Sequence, residues 1–344
     1  MCNPLQRRES SHEYTMNGAC SVAYQGDIHF FGGILITKTT DGKISVSNRQ
    51  HFVIEKQRRG KLVKMTQKKD LDIGFQQAAC SSFKMTTDYF SWSSMDIVVL
   101  CFGADDGAEW AGQSCYSFHD ELTYIGDSNF PHAFGELTNY KQNLLTVGGL
   151  GGSHTTELLK QNKNGSFIWS QVRSDFQFTG KNSPRYSFDS YKSLHRPEDF
   201  TGHSLVTVPP SDVHEEYVLL IGGVVRHDLQ TKVFKFNGTW FHFGRLNKSR
   251  ESHSSIYWNG AVYVIGGSPL EAPRNQTEIP WLPPGARNPW ADTRDVRNQD
   301  PRKIEVWKIE DSPDIFKSSE NWPDLYNWDN PHLFIVPDSF FPDD

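Results

Sequence analysis

One short element recurs along the chain: an apolar strand that stops abruptly at a pair of glycines. Its cleanest copy lies in the stretch Ser252–Gly267, SHSSIYWNGAVYVIGG, where two β-rich segments flank Asn259-Gly260. Asn-Gly favours two-residue hairpin turns, because both central residues must take positive φ. The segment after the turn is apolar on both faces, which is typical of a strand sandwiched between neighbours. The stretch therefore predicts a hairpin that serves as a repeat unit.

The same strand and glycine pair recur in three other places, and a degenerate copy keeps one glycine. The copies are DIHFFGG at Asp27–Gly33, DIVVLCFGA at Asp96–Ala104, NLLTVGG at Asn143–Gly149, YVLLIGG at Tyr217–Gly223 and VYVIGG at Val262–Gly267. Their aligned ends fall at positions 33, 103, 149, 223 and 267. This irregular spacing indicates long insertions on a common unit.

Each copy follows a strand candidate rich in Ser, Ala, Thr and His, and precedes another hairpin. The preceding candidates are Cys20–Tyr24, Gln76–Phe83, His132–Tyr140, His203–Val208 and His253–Trp258. Small side chains suit an innermost strand beside a crowded axis. The clearest following hairpin is Thr231–Phe243, around Asn237-Gly238. Four antiparallel strands repeated about five times predict an all-β propeller.

These residues resemble the kelch-repeat family of β-propellers, which belongs to the galactose oxidase-like superfamily. The shared pattern is a hydrophobic strand, Gly-Gly, then an aromatic residue and a Trp on the next hairpin; it is strongest in Gly202–Pro283. The first and second copies depart from it, since neither has the Trp. The resemblance implies five recognisable four-stranded blades, with a degenerate sixth left open. The repeat residues expected to be structural are Gly32, Gly33, Gly148, Gly149, Gly222, Gly223, Gly266, Gly267, Trp169 and Trp240.

The chain is long enough for one large all-β domain, and we predict a single propeller over 1–344. The expected blades are approximately 19–72, 73–130, 131–178, 200–249 and 250–340. An open ring would expose strand edges. We therefore expect the last strand candidate, His332–Val336, to complete the final blade or to pair near the N-terminus.

Charge and hydropathy narrow the classes of partner. The chain has 35 basic and 41 acidic side chains, a net charge of −6, so neither nucleic acid nor an anionic membrane is expected to bind. The longest apolar run, Ile97–Phe102, is too short to cross a bilayer. The polar N-terminus lacks the apolar core of a signal peptide. The sequence therefore favours a soluble, monomeric and intracellular propeller.

Four Asn-x-Ser/Thr sequons keep an extracellular location open: Asn164, Asn237, Asn247 and Asn275. At Asn164 and Asn237, a hairpin turn that prefers Asn-Gly is the stronger explanation. The five cysteines are odd in number and form no CxxC, which favours reduced, buried thiols. We interpret Cys20, Cys80, Cys101 and Cys115, all on predicted strands, as small hydrophobic side chains.

Histidines offer the first candidate chemistry. His132, His203 and His253 begin three inner-strand candidates, so they would ring one mouth of a central channel. Imidazole is a common metal ligand, but a hydrogen bond to a neighbouring blade is the favoured interpretation. A copper-radical oxidase of the superfamily would also need a cross-linked Cys–Tyr pair, and no such pairing is evident. We predict no metal and no cofactor.

Carboxylates and glycine-rich stretches also indicate no catalytic residue. A propeller glycosidase needs two acids, and Glu136 is the single acid on the inner-strand candidates. Asp105, Asp106 and Glu109 form an acidic turn with too few oxygen ligands for calcium. The stretch Gly148–Gly152 leads into no helix, so it does not form a phosphate loop.

The long insertions carry the main functional signal. We expect three of them on one face: Ser268–Arg302, Asp175–Asp199 and Ala104–Gln113. Loops of this kind are usually functional or disordered, and Trp, Tyr and Arg dominate binding hot spots. The predicted partner-binding residues are Trp110, Arg185, Tyr186, Trp281, Arg287, Trp290 and Arg294. We predict a non-catalytic module that binds a protein or peptide; the alternative is a carbohydrate-directed oxidase, mutarotase or lyase at the channel mouth.

Overall fold

A computed structural model of the protein describes residues 16–38, 44–55, 65–86, 94–103, 112–151, 155–172, 200–225, 228–268, 305–308 and 317–318. These residues form strands and turns, and five antiparallel sheets, each built on a path of four strands, are arranged as a five-bladed β-propeller. The predicted fold class is therefore confirmed. None of the described segments is a helix that could span a membrane. The extent of the domain over 1–344 stays a prediction.

The strands follow one plan in every blade. Blade 1 comprises β1 (Met16–Tyr24), β2 (Asp27–Lys38), β3 (Ile44–Ser47, paired with β2), β4 (His51–Ile54) and β5 (Met65–Gln67). Blade 2 comprises β6 (Ala79–Thr86), β7 (Ser94–Cys101), β8 (Ser114–Phe118) and β9 (Leu122–Asp127). Blade 3 comprises β10 (Leu137–Tyr140), β11 (Asn143–Val147), β12 (Thr156–Gln161) and β13 (Phe167–Val172).

Blades 4 and 5 follow the same plan, and a small separate sheet is inserted in the blade 4 region. The strands of the blade 4 region are β14 (Phe200–Thr201), β15 (Ser204–Val208), β16 (Tyr217–Ile221), β17 (Val224–Val225), β18 (Asp228–Leu229), β19 (Lys232–Phe236) and β20 (Trp240–Arg245). Of these, β15, β16, β19 and β20 form the blade, whereas β14, β17 and β18 form a separate small sheet. Blade 5 comprises β21 (Glu251–Trp258), β22 (Ala261–Ser268), β23 (Glu305–Lys308) and β24 (Lys317–Ser318).

The second strands of blades 2, 3 and 4 are buried on both faces because each lies between two neighbouring blades. Alternate side chains of a strand point to opposite faces, and in β7 Val98 and Leu100 face blade 1 whereas Val99 and Cys101 face blade 3. Clusters of the same kind join blades 3 and 4 and blades 4 and 5. Burying one such Val or Leu side chain stabilises the fold by about 1.5–3 kcal/mol.

The glycine pairs connect consecutive blades through the main chain. Gly32 and Gly33 have φ of 66° and 79°, and the Gly33 N–H donates to the Phe75 carbonyl, 2.7 Å away, at the entrance to blade 2. A Cβ on Gly32 would lie 2.1 Å from that carbonyl oxygen. In blade 4, Gly223 donates in the same way to the Arg250 carbonyl of the next blade, at 3.0 Å. The repeat therefore needs glycine both for conformation and for space.

The two repeat tryptophans lie on the fourth strands of blades 3 and 4. Trp240 is buried between blades 3 and 4, and its indole N–H donates to Thr156 Oγ1 at 2.8 Å. Trp169 packs between blades 2 and 3, with its ring centroid 5.8 Å from that of Phe102.

The cysteines contradict the expectation of reduced thiols. Cys20 and Cys80 form a disulfide between the inner strands of blades 1 and 2, with their Cα atoms 5.8 Å apart. Cys101 and Cys115 are direct cross-strand partners on β7 and β8 and form a second disulfide. The prediction was wrong because both pairings depend on the packing of strands that are separated in sequence. Cys2 lies outside the described residues.

Candidate functional site at the channel mouth

The five inner strands β1, β6, β10, β15 and β21 surround a central channel with a cavity of about 460 Å³. Each inner strand runs away from the mouth where it begins, and the antiparallel second strand returns to the same mouth, where it ends at the glycine pair. The mouth is lined by the residues at the start of each inner strand and by the next few residues along it.

Five equivalent mouth residues adopt left-handed backbone conformations, one in each blade: Gly18 (φ 73°), Gln77 (56°), Phe134 (59°), Gly202 (62°) and Ser252 (51°). Two hydrogen bonds of 2.8 Å link successive blades here, from Gln77 N–H to the Gly18 carbonyl and from Ser252 N–H to the Gly202 carbonyl. A left-handed conformation costs a non-glycine residue about 1–2 kcal/mol. Such residues cluster at ligand clamps and active sites.

Glu136 brings a carboxyl group into this mouth. Its Oε2 accepts a hydrogen bond of 2.6 Å from the Leu205 backbone N–H, so the side chain from blade 3 is held by the inner strand of blade 4. Burial raises the pKa of Glu136 to about 8, and the Leu205 hydrogen bond opposes this rise. The group therefore exchanges its proton near neutral pH, which is a property of acids and bases in catalysis.

Two of the three matching histidines, His203 and His253, line the same channel. Burial lowers the pKa of each to about 3, so both rings are neutral at physiological pH. His253 Nε2 lies 2.9 Å from Ser204 Oγ of the preceding blade. The arrangement agrees with the interpretation that these histidines connect neighbouring blades.

His132, the third, does not line the channel. Its Nδ1 lies 2.5 Å from the Gly148 carbonyl and its Nε2 lies 2.9 Å from Glu157 Oε2, and both side chains are fully buried. Burial alone would raise the pKa of Glu157, but hydrogen bonds from His132, Asn129 and Phe130 lower it overall. The expectation that all three histidines ring one mouth was therefore wrong. Across the described segments, no group of three or more His, Cys, Asp or Glu side chains could hold a metal ion.

The predicted partner-binding residues Trp110, Arg185, Tyr186, Trp281, Arg287, Trp290 and Arg294 lie outside the described residues, as do Asp105, Asp106 and Glu109. The residues on either side of the segments that contain the predicted binding residues are described. The stretches 104–111, 173–199 and 269–304 follow β7, β13 and β22, and all three strands run toward the mouth. All three insertions therefore leave and rejoin the propeller on the face where the channel opens.

Sequence reasoning singled out Glu136, His203 and His253, which the fold brings together, but missed Gln77, Phe134 and Ser252. Only unusual backbone conformation distinguishes these three residues, and nothing in their residue types indicates it. The signal that was available is positional, because they align with Gly18 and Gly202 at the starts of the other inner strands.

Comparison with known proteins identifies the fold and no family. No family model matches the chain, and no curated protein matches it. Solved structures do match, and one of them is described as the structure of YjhT, with a TM-score of 0.50 and 14% sequence identity over 74% of this chain and 78% of that chain. At this identity the likeness shows the fold alone. The chain is a β-propeller, and membership of the kelch family is an inference from the repeat residues.

Proposed function

We propose that this protein is a kelch-type, non-catalytic binding module that holds a protein or peptide partner on its channel-mouth face. One observation carries the proposal: the insertions 104–111, 173–199 and 269–304 all leave the propeller on this face, around one central cavity. Binding residues are typically carried on loops that a rigid scaffold positions. The kelch resemblance implies the same face, since many members of that family bind partner peptides there.

The composition of the insertions supports a protein partner. They contain Trp110, Tyr186, Trp281, Arg287 and Trp290, and these residue types carry much of the binding energy in protein interfaces. The blades beneath are joined by apolar clusters and by main-chain hydrogen bonds from the glycine pairs. A rigid base reduces the entropy that is lost when a partner binds.

The test replaces Trp281, Arg287 and Trp290 together by Ala and measures partner recovery by affinity purification with quantitative mass spectrometry. We expect the partners recovered with the wild type to fall at least tenfold, which corresponds to about 1.4 kcal/mol. Trp258→Ala is the matched control, because Trp258 is 51% exposed beside the turn at the opposite end of the channel. Equal recovery with the triple variant and the control would contradict the proposal.

Glu136 favours a second candidate, a carbohydrate-directed enzyme such as a mutarotase, lyase or oxidase with its site at the channel mouth. A half-buried carboxyl with a pKa of about 8 is suited to proton transfer. The test follows anomeric exchange and elimination of a panel of sugars by NMR, with wild type and Glu136→Gln. Turnover that Glu136→Gln abolishes would favour the enzyme, whereas a lack of turnover together with loss of partners in the triple variant would favour the binding module.

A further inference from the structure

Two sequons occupy exposed hairpin tips in adjacent blades. Asn164-Gly165-Ser166 lies between β12 and β13, and Asn237-Gly238-Thr239 lies between β19 and β20. All six residues are exposed. At a third sequon, Asn247, the two following residues are half-buried and engaged in contacts. The two hairpin tips are therefore the described sites where a large modification meets least obstruction.

The turns themselves do not require asparagine. Type I′ hairpin turns favour Asn because it tolerates positive φ, and Asn259 does adopt φ of 48° in its own turn. Among the described residues, however, neither Asn164 nor Asn237 has positive φ; the left-handed residues are Gly165 (86°) and Gly238 (113°). Positive φ therefore explains the glycines and not the asparagines. At Asn164 the side chain also supports its own turn, since its Oδ1 accepts a hydrogen bond from the Ser166 backbone N–H.

The local hydrogen bonds at Asn164 match what defines a sequon. The Asn164 Oδ1 accepts a bond of 2.7 Å from the Ser166 hydroxyl and one of 3.1 Å from the Ser166 backbone N–H. The hydroxyl of the third residue therefore lies directly against the amide that would be modified. The amide nitrogen has no hydrogen-bond partner in the described part of the chain, so it is exposed for reaction.

An independent observation concerns the cellular compartment. The Cys20–Cys80 and Cys101–Cys115 disulfides lie within the propeller. Structural disulfides form and persist in oxidising compartments, such as the secretory lumen and the cell exterior. Asn-x-Ser/Thr sequons are also glycosylated in secreted proteins. Two unrelated kinds of residue therefore indicate the same folding environment.

We propose that Asn164 and Asn237 are N-glycosylation sites. In the reaction, the side-chain amide nitrogen bonds to the anomeric carbon of an oligosaccharide carried on a polyprenyl diphosphate. The bond between that carbon and the diphosphate oxygen breaks, the lipid diphosphate leaves with the electron pair, and the amide proton passes to a base. Because β12 and β19 run away from the mouth, both tips lie on the opposite face. The attached glycans leave the channel mouth open, and the proposal is independent of what binds there.

The test produces the full chain behind a cleavable secretion leader in cultured eukaryotic cells. Glycosylation is measured in both the cell lysate and the medium, so that protein retained inside the cells is also counted. Peptide-N-glycosidase F digestion in ¹⁸O-labelled water marks each occupied asparagine as a labelled aspartate, and label found in a digestion without the enzyme, from spontaneous deamidation of Asn-Gly, is subtracted. Ser166→Ala and Thr239→Ala each remove one sequon while keeping Asn-Gly, and Ser166→Thr and Thr239→Ser preserve it. We expect each Ala variant to lose one glycan and each conservative variant to keep both. Unlabelled Asn164 and Asn237 in the wild-type chain would overturn the proposal.

Discussion

The backbone N–H of Leu205 lies 2.6 Å from the Oε2 of Glu136, so a main-chain donor of blade 4 holds the acid that blade 3 brings into the channel. Gln77 and Gly18 make an equivalent link between blades 1 and 2 through main-chain atoms alone. Hydrogen bonds between blades therefore lie along the channel mouth, and an acid accepts one of them. Its protonation is therefore coupled to the stability of the ring.

Glu136→Gln should change how stability depends on pH. The pKa of Glu136 is raised from 4.5 to about 8, so between these values the folded state keeps a proton that the unfolded state has lost. The wild-type free energy of unfolding should therefore fall as pH rises through this window, by at most about 1.4 kcal/mol per pH unit. Glutamine retains an oxygen for Leu205 and has no proton to lose, so its profile should be flatter.

Urea denaturation at half-unit steps from pH 5 to pH 9 measures this effect. Glu121→Gln, at an exposed position, is the matched control and should follow the wild type. Parallel profiles for Glu136→Gln and Glu121→Gln would contradict the assignment of Glu136 as a buried acid.

Glu157→Ala should be among the most destabilising single changes in blade 3. It would remove the carboxylate that accepts hydrogen bonds from His132, Asn129 and the Phe130 backbone, and would leave the buried His132 ring without this partner. Removing one member of a buried pair costs about 3–5 kcal/mol. The measurement is a double-mutant cycle with His132→Ala, read by chemical denaturation. Additive losses would show that the two side chains are not coupled.

Gly32→Ala should destabilise the protein more than Gly260→Ala, although both glycines have similar left-handed φ values, 66° and 76°. A Cβ at Gly260 meets no atom within 4 Å, so that variant reports only the conformational cost, about 1–2 kcal/mol. A Cβ at Gly32 meets the Phe75 carbonyl of the next blade and must displace it. Comparing the two thermal melts isolates the contribution of the close approach between blades. Equal decreases in melting temperature for the two variants would mean that the close contact between Gly32 and Phe75 does not contribute to stability.

Removing the Cys20–Cys80 disulfide should cost more stability than removing the Cys101–Cys115 disulfide. The two bonds close loops with sequence separations of 60 and 14 residues. The loop-entropy relation assigns them about 4 and about 3 kcal/mol respectively. Paired Cys→Ala variants, measured by chemical denaturation under non-reducing conditions, test the order. Wild-type stability in both paired variants, or no change on reduction of the wild type, would refute the pairing.

The repeat could be predicted from the sequence because its determinants are local. The glycine pairs, the doubly apolar second strands and the Asn259-Gly260 turn are each visible within a few residues, and together they specify the blades. The links between blades could not be predicted, since they depend on packing. The environment of His132 differs from that of His203 because Glu157 lies beside it, and Cys20 meets Cys80 only when two inner strands are neighbours. From the sequence, Glu136 was interpreted as a channel-lining residue without a catalytic role, and the left-handed backbone at Gln77, Phe134 and Ser252 was not indicated at all.

The bonds from Gly33 to Phe75 and from Gly223 to Arg250 join main-chain nitrogen to main-chain oxygen. A backbone hydrogen bond of this kind does not depend on the identity of the neighbouring side chains, except that the glycine cannot be replaced by a residue with a Cβ. The inserted segments are consequently not needed to hold neighbouring blades together. Their length and chemistry can change from one protein to another without loosening the ring, so new recognition surfaces can arise on this scaffold at little cost to its stability.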